Sequence, residues 1–339
     1  MKKAKLFAAA LSLVLALSAC GDTGTSDDSR KETVKKTTTS AKVTESEESA
    51  EESEEEPEEE PEEEKKEKKE KEPEPEPTIP TAAAGWPDDS LNPYVFDLSE
   101  GYTDENGYYH LSQGDLYRNI IEMFDVYANR SDFGGFFTDE DFQVAFRQSV
   151  DSRPDVFWMD NVYYHISPQG EASFDLTSYP GTDLYAAPAM HDELIAKADE
   201  IAALAAEQPT DYEKILFVHD YIAEHTMYAA TAINTQRNYA YGCLVEGASA
   251  CNGYSKAFQL VMQRMGIFCG LVYGEADGPH TWNYVWFNGN YYWVDVTWDD
   301  HDGWVTGHDY FMCTDDEILT DRELYDYNLE LPKCSTPLM

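Results

Sequence analysis

The composition of this chain changes near Trp86, and that change decides which part can fold. Residues 41–80 hold 19 glutamates against 6 lysines, and towards the end of this stretch proline alternates with glutamate. Such a sequence has too few apolar side chains to offset the entropy lost on ordering it. We therefore predict a disordered linker over residues 20–85. A compact part should begin at about residue 86, where aromatic and aliphatic residues become frequent.

The overall charge excludes two classes of partner. The chain has 66 Asp and Glu against 24 Lys and Arg, which gives a formal net charge of −42. Beyond Trp86 the acidic residues are interleaved with apolar ones, so the compact part is itself acidic. Such a surface repels phosphate backbones and anionic lipid headgroups. We expect no nucleic-acid partner and no electrostatic attachment to a membrane.

The first 20 residues have the pattern of an export signal. Three lysines precede an apolar run of 12 residues from Leu6 to Leu17, which is shorter than the roughly 20 residues of a membrane-spanning helix. The sequence Leu-Ser-Ala-Cys that ends at Cys20 resembles the lipobox of bacterial lipoproteins. That resemblance implies a signal peptide over residues 1–19 and lipidation of Cys20, with the mature protein anchored outside the cytoplasm. An ordinary secretory signal is the alternative.

Hydrophobic periodicity and turn signals divide the compact part into two regions. Residues 86–187 show an α+β pattern with predicted helices over Gly114–Asn129 and after Thr138, and we assign this region no role. A predicted hairpin follows there, with strands Val156–Ile166 and Ala172–Leu176. Residues 188–339 form the second region. Its predicted elements are a helix over Met190–Ala206, a helix after Thr210, a helix after Cys251, and strands over Ile267–Tyr273, His280–Phe287 and Tyr291–Val296.

The second region holds three residues that can perform nucleophilic chemistry together. Cys251 stands at a predicted helix N-terminus, where the helix dipole favours a thiolate. His280 and Asp295 lie on strands joined by Asn-Gly, which is typical of a two-residue hairpin turn. In that register Phe287 faces Asn290, and the imidazole and carboxylate become diagonal neighbours on one face. A carboxylate that orients an imidazole, which in turn activates a thiol, is the arrangement of a catalytic triad.

These residues lie within a resemblance to a known family. The motifs Gly-Ala-Ser-Ala-Cys-Asn-Gly-Tyr-Ser around Cys251, His-Thr-Trp-Asn at His280 and Tyr-Trp-Val-Asp-Val-Thr-Trp-Asp-Asp around Asp295 resemble the core motifs of the transglutaminase-like superfamily. The resemblance implies a papain-like α+β core in which a helix bearing the nucleophile packs on an antiparallel sheet. It also implies acyl transfer on peptide or protein amides without a cofactor, by hydrolysis or by cross-linking to amines. The implied partner is an extracellular substrate, which could be associated with the cell wall.

Several alternatives stay open. The chain could keep this fold as a catalytically inactive module that binds a cell wall or a protein. In an exported protein Cys243, Cys269, Cys313 and Cys334 could form two disulfides or none, and a bridge from Cys243 to Cys251 would remove the nucleophile. For the oxyanion hole the amide of Cys251 is one candidate donor and the hydroxyl of Tyr241 is another.

No set of metal ligands is evident in the sequence. His219 and His225 lie six residues apart on a predicted helix, which places them on different faces. The segment Asp299–Asp302 lacks the regular ligand spacing of a calcium loop, and we interpret it as a solvated turn. The aromatic run from Trp282 to Trp293 could line a carbohydrate or peptide groove or fill the core of the sheet.

Overall fold

The computed structural model of the chain describes residues 100–132, 134–163, 175–229, 236–301 and 306–338. The predicted signal peptide, Cys20 and the linker over residues 20–85 lie outside these residues, as does Asp302. All of the described residues belong to one compact unit. No helix in this part of the chain is both long and apolar enough to cross a bilayer.

The described residues form helices and strands that alternate irregularly along the chain, as in an α+β fold. The helices are α1 (Gln113–Asp125), α2 (Asp139–Ser152), α3 (Ala187–Ala205), α4 (Asp211–His225), α5 (Ala240–Leu244), α6 (Cys251–Arg264), α7 (Val296–Asp299) and α8 (Asp315–Ile318). The strands are β1 (Tyr102–Thr103), β2 (Tyr109–His110), β3 (Arg130–Asp132), β4 (Met159–Tyr163), β5 (Asp175–Pro180), β6 (Met227–Tyr228), β7 (Ala248–Ser249), β8 (Cys269–Glu275), β9 (Pro279–Phe287), β10 (Asn290–Val294), β11 (Phe311–Cys313) and β12 (Glu323–Leu324).

A five-stranded antiparallel sheet in the order β11-β10-β9-β8-β12 organises the second region. Helix α6 packs on strands β8 and β9 of this sheet. Its side chains Ala257, Phe258 and Val261 are fully buried, because the apolar spacing of this helix places them on the face that covers the sheet. The predicted arrangement, a helix beginning at the candidate nucleophile and packed on an antiparallel sheet, is confirmed.

The β9–β10 hairpin has the predicted register. Asn290 faces Phe287, and the pairing continues until Val294 faces Asn283. Asn288 and Gly289 have φ angles of 48° and 83°, the left-handed conformations that a two-residue turn of this kind requires. The strand ends at Val294, earlier than the predicted end at Val296. Asp295 therefore lies just beyond the ladder, as the N-cap of helix α7.

Side-chain caps fix the beginnings of two predicted helices. The hydroxyl of Thr138 accepts a hydrogen bond from the Asp141 amide at the start of α2, at 3.1 Å. The hydroxyl of Thr210 does the same for Glu213 at the start of α4, at 3.2 Å. Both contacts satisfy amide groups that have no acceptor within the first turn of a helix.

The predicted hairpin of the first region is shifted along the chain. Strands β4 and β5 pair antiparallel, but β5 spans Asp175–Pro180 in place of the predicted Ala172–Leu176. The first residues of that predicted strand lie outside the described residues. Strand β5 also pairs with β3, so the hairpin belongs to a three-stranded sheet in the order β3-β5-β4.

Most of the aromatic run along β9 and β10 belongs to the core, whereas Trp286 is partly buried and lines an open cavity with Ile215 and Phe287. Trp282, Tyr284, Tyr291, Tyr292 and Trp293 are all buried. Aromatic side chains carry large apolar areas, and those of this hairpin fill the space between the sheet and the surrounding elements. The core interpretation therefore holds for these five residues, and Trp286 is the exception.

Buried polar contacts join the first region to the second. The side-chain amide of Gln259 on α6 donates to the carbonyl of Asp151 on α2 at 2.8 Å. The hydroxyl of Tyr273 on β8 donates to the Asp151 carboxylate at 2.7 Å, and the Arg147 guanidinium lies 4.7 Å from the centre of the Tyr273 ring. Helix α2 thus packs directly on the elements that carry the candidate site, and the predicted boundary between residues 187 and 188 remains a prediction.

Candidate active site

Cys251 is the first residue of helix α6 and is buried. The residue before it, Ala250, has an extended backbone and donates its amide hydrogen to the Arg237 carbonyl at 2.8 Å. The Ser249 hydroxyl donates to the same carbonyl at 2.6 Å. These two contacts fix the chain as it enters the helix. Since the first amides of a helix have no acceptor within it, the position favours negative charge at or near the sulfur.

His280 and Asp295 are hydrogen-bonded to each other, as the hairpin geometry predicts. Nε2 of His280 donates to Oδ2 of Asp295 at 2.8 Å, and both side chains are buried. This contact fixes the tautomer of the imidazole and leaves Nδ1 as the nitrogen that can accept a proton from a thiol. Burial raises the pKa of Asp295, but the charge and hydrogen bonds of His280 and Arg322 outweigh burial and hold it below its ordinary value.

Ser255 connects the turn that carries Cys251 to the strand that carries His280. Its hydroxyl lies 3.0 Å from the carbonyl oxygen of Cys251 and 2.8 Å from that of Thr281, the residue after His280. Asn283 adds a second connection, because its side-chain amide donates to the carbonyls of Ser255 and Gly270 at 3.0 and 3.1 Å. The beginning of α6 and the beginning of β9 are therefore held against each other.

Arg322 is a member of the site that sequence reasoning missed. Its Nη1 donates to Oδ2 of Asp295 at 2.5 Å, and the side chains of both residues are buried. Burial lowers the pKa of the guanidinium, but the Asp295 carboxylate more than compensates and raises it. Arg322 belongs to no motif and follows Asp295 by 27 residues, so the tertiary structure alone brings the two together.

Aromatic rings enclose the His280 imidazole and the Arg322 guanidinium. The indole of Trp282 stacks on the imidazole with ring centres 5.8 Å apart, and that of Trp298 meets it edge-on at 6.0 Å. The guanidinium lies over the rings of Trp282, Trp298 and Tyr310 at 5.2, 4.9 and 4.6 Å. These rings exclude water from the His280–Asp295 pair, which strengthens its electrostatic interaction.

The sequence leaves open whether these cysteines form disulfides, and in this structure they are free thiols. Cys243, Cys251, Cys269, Cys313 and Cys334 are all buried, and the sulfur of Cys243 lies 3.3 Å from the Thr226 hydroxyl. Burial raises the pKa of Cys243 to about 12, so this thiol is unreactive near neutral pH. Among the cysteines that the structure describes, no disulfide removes the candidate nucleophile.

Tyr241, the other candidate donor for the oxyanion hole, uses its one hydroxyl hydrogen in a different contact. Its hydroxyl donates to the carboxylate of Glu193 on α3 at 2.8 Å. The amide of Cys251 remains the candidate donor from the sequence, since it lies at the N-terminus of α6.

Comparison with known proteins places the second region in a family. The sequence model of the transglutaminase-like superfamily matches residues 199–306. Kyphoscoliosis peptidase from Homo sapiens is 27% identical over 145 residues, and the match covers 37% of this chain and 21% of that protein. The chain thus spans about a fifth of the length of this curated relative.

Two solved structures show weaker likeness. A crystal structure of a TGase matches with a TM-score of 0.28 and 15% identity over 41% of this chain and 44% of the other. The periplasmic domain of TgpA from Pseudomonas aeruginosa, solved with ethylmercury bound, matches with a TM-score of 0.26 and 16% identity over 40% and 59%. TM-scores this low carry no argument by themselves. The matched segment, residues 199–306, includes Cys251, His280 and Asp295, so the three candidate residues lie within the part of the chain that is similar to the transglutaminase-like superfamily.

Proposed function

We propose that this chain is a thiol enzyme that transfers acyl groups from peptide or protein amides, with Cys251, His280 and Asp295 as its catalytic residues. The observation that carries the proposal is the buried 2.8 Å hydrogen bond from His280 to Asp295, on a strand held by Ser255 against the helix that begins at Cys251. A buried imidazole oriented by a carboxylate is costly to maintain without a role, and it is the partner that a nucleophilic thiol needs.

The proposed reaction has two halves. In the first, Nδ1 of His280 accepts the thiol proton, the sulfur attacks the amide carbonyl, and the amide of Cys251 donates to the oxyanion that forms. His280 then returns the proton to the leaving amine, and a thioester remains on Cys251. In the second half, water gives the acid and restores the thiol, or a second amine gives a new amide. Asp295 holds the ring throughout and stabilises the imidazolium.

The human relative supports hydrolysis as the outcome. It is named a peptidase, and its match covers 37% of this chain. We therefore propose a cysteine peptidase or amidase first and an amine transferase second. A labelled primary amine separates them: hydrolysis predicts that a glutamine-containing acceptor protein stays unlabelled, whereas covalent incorporation that requires Cys251 would identify a transferase.

The location and the substrate class are part of the proposal. We propose that Cys20 carries a lipid anchor and that the acidic linker extends the catalytic region away from the membrane. We also propose that the substrate is a peptide or protein outside the cytoplasm, with cell-wall-associated proteins among the candidates. The net charge of −42 should favour cationic substrates. Lysine-rich peptides should be cleaved faster than glutamate-rich ones, and the difference should shrink as salt rises. Equal turnover at low ionic strength would contradict this preference.

Replacing Cys251 by alanine is the direct test of the enzyme proposal. Cys251→Ala should abolish turnover of a fluorogenic peptide library, while Cys243→Ala, which removes another buried thiol, should keep turnover wherever the variant folds. Iodoacetamide at neutral pH should modify Cys251 before any other cysteine. If Cys251→Ala turns over the peptide library as fast as wild type does, the assignment of Cys251 as the nucleophile is wrong. If wild type turns over no amide yet binds cell-wall material, the inactive binding module is the better function.

A further inference from the structure

A second cluster of ligand-type side chains lies apart from Cys251, where helix α4 meets the segment before β11. Oδ1 of Asp220 lies 2.9 Å from Nδ1 of His219 and 2.8 Å from Nε2 of His308. The three ligand atoms all fall within 4.8 Å of one another. Two imidazole nitrogens and one carboxylate oxygen thus lie close together, and the nitrogens come from parts of the chain that are distant in sequence.

Asp299 orients the buried member of this cluster. The side chain of His219 is fully buried, and its Nε2 donates to Oδ2 of Asp299 at 3.1 Å. The Asp299 carboxylate is held in turn by the Tyr310 amide, which donates to it at 3.2 Å. This is the outer-shell arrangement of metal-binding histidines: one nitrogen donates to a carboxylate, so the other nitrogen points at the ion.

We propose that His219, Asp220 and His308 form a binding site for a divalent transition metal ion, with Zn²⁺ the best match. Imidazole and carboxylate are ligands that zinc accepts at about 2.0–2.2 Å, and three protein ligands leave a fourth position for water. Ligand atoms around a tetrahedral zinc lie roughly 3.3 Å apart. The two hydrogen-bonded pairs would therefore separate by about half an ångström, and the two imidazole nitrogens, which lie within 4.8 Å of each other, would approach by at most about 1.5 Å. His308 is half exposed, which gives the ion a route from solvent.

An ion in this position would fix the segment that supports Asp295. The carbonyl of Tyr310 accepts a hydrogen bond from the Asp295 amide at 3.0 Å, and Tyr310 is two residues from His308. A metal bound to His308 and to helix α4 would hold one end of the segment from His308 to Tyr310. The hydrogen bond between Tyr310 and Asp295 holds its other end. The site does not depend on the proposed enzyme activity, because every contact that defines it is independent of Cys251.

Cobalt provides a spectroscopic test on the full chain. Titration with Co²⁺ should give one equivalent of tight binding with the visible bands of a low-coordinate nitrogen and oxygen site, and Zn²⁺ should displace it. His308→Ala removes a half-exposed ligand and should eliminate these bands. The matched control is His225→Gln, which removes an exposed imidazole from the same helix and should leave the titration unchanged. Asp299→Asn should weaken binding by roughly 10- to 100-fold, as the loss of an outer-shell partner does.

Three results would overturn the proposal. The first is the absence of stoichiometric Co²⁺ binding, which would identify the cluster as an imidazole–carboxylate network without metal. The second is a titration that His308→Ala leaves unchanged. The third is a sulfur-to-cobalt charge-transfer band that disappears in Cys251→Ala, because it would place the ion on the thiol. A rise in melting temperature with Zn²⁺ in wild type but not in His308→Ala would support the site independently.

Discussion

At the scale of single residues, the Asp295 carboxylate accepts three hydrogen bonds. Its Oδ2 accepts from both His280 and Arg322, while its Oδ1 accepts the Trp298 amide at 3.3 Å as a helix cap. The cap and the guanidinium fix the carboxylate, and the carboxylate fixes the imidazole. The orientation of His280 therefore depends on Arg322 and on the Trp298 amide as well as on Asp295.

The first prediction concerns that orientation. Asp295→Asn preserves shape and the helix cap but removes the charge that stabilises an imidazolium, and the amide can present its NH₂ group to His280. We expect kcat/KM to fall roughly 10²- to 10⁴-fold, the usual range for general acid–base assistance. Peptide turnover measures the loss, and circular dichroism checks that the variant is folded. Turnover equal to that of wild type would exclude Asp295 from the triad.

The second prediction compares a buried and an exposed arginine. Arg322→Met removes the guanidinium that pairs with the Asp295 carboxylate, in a site where the arginine side chain is 0% exposed. Because the carboxylate stays buried without this partner, the unfolding free energy should fall by about 3–5 kcal/mol. Arg264→Met is the control, since that side chain is 41% exposed in its pair with Asp199, and it should cost less than about 1 kcal/mol. Urea denaturation of both variants measures the difference. Equal losses of unfolding free energy in the two variants would mean that the buried Arg322–Asp295 pair stabilises the protein no more than an exposed ion pair does.

At the scale of elements, contacts that depend on residues close in sequence could be predicted. The Asn-Gly turn sets the register of the β9–β10 hairpin, and the register places His280 beside Asp295. Arg322 and the pair of His308 with Asp220 could not be predicted in this way, because their partners lie 27 and 88 residues away. Hydrophobic periodicity and turn signals relate only residues that are close in sequence. These distant contacts form only when the loops after β10 fold back.

The third prediction concerns the turn itself. Gly289 has a φ of 83° and nothing within 4 Å of the position of a Cβ, so backbone strain alone would oppose a side chain. Gly289→Ala should therefore lower stability by about 1–2 kcal/mol. Gly289→Asn should cost less although its side chain is larger, because asparagine tolerates this conformation. Thermal unfolding compares the two, and a greater loss for asparagine would show that space, not backbone conformation, is limiting.

At the scale of the whole molecule, buried charge connects the two sequence regions. Asp155 precedes β4 in the first region and accepts from Arg153 at 2.9 Å and from Nε2 of His191 on α3 at 3.0 Å. His191 contacts the Tyr127 hydroxyl through its other nitrogen at 3.1 Å. Helix α3 packs in turn on α6, which begins at Cys251. The described residues of the first region therefore support the scaffold on which the candidate nucleophile stands.

The fourth prediction follows from the titration of Asp155. Burial raises the pKa of this carboxyl, but the Arg153 charge and the His191 hydrogen bond outweigh burial and hold it well below its ordinary value. A folded pKa below the unfolded one, about 3.9, adds stability that is complete above that value and disappears as pH falls through the folded pKa. Asp155→Asn should therefore lose about 3–5 kcal/mol at pH 7, and its difference from wild type should narrow as the solution is acidified below about pH 4.

Urea denaturation as a function of pH tests this prediction, with Asp199→Asn as the matched control. Asp199 pairs with Arg264 on the surface, where its side chain is 48% exposed, so its replacement should cost less than about 1 kcal/mol across the range. A constant difference between Asp155→Asn and wild type from pH 7 to pH 3 would show that the loss comes from packing. A difference that narrows on acidification would show that one buried charge holds the first region against the helix layer that supports Cys251.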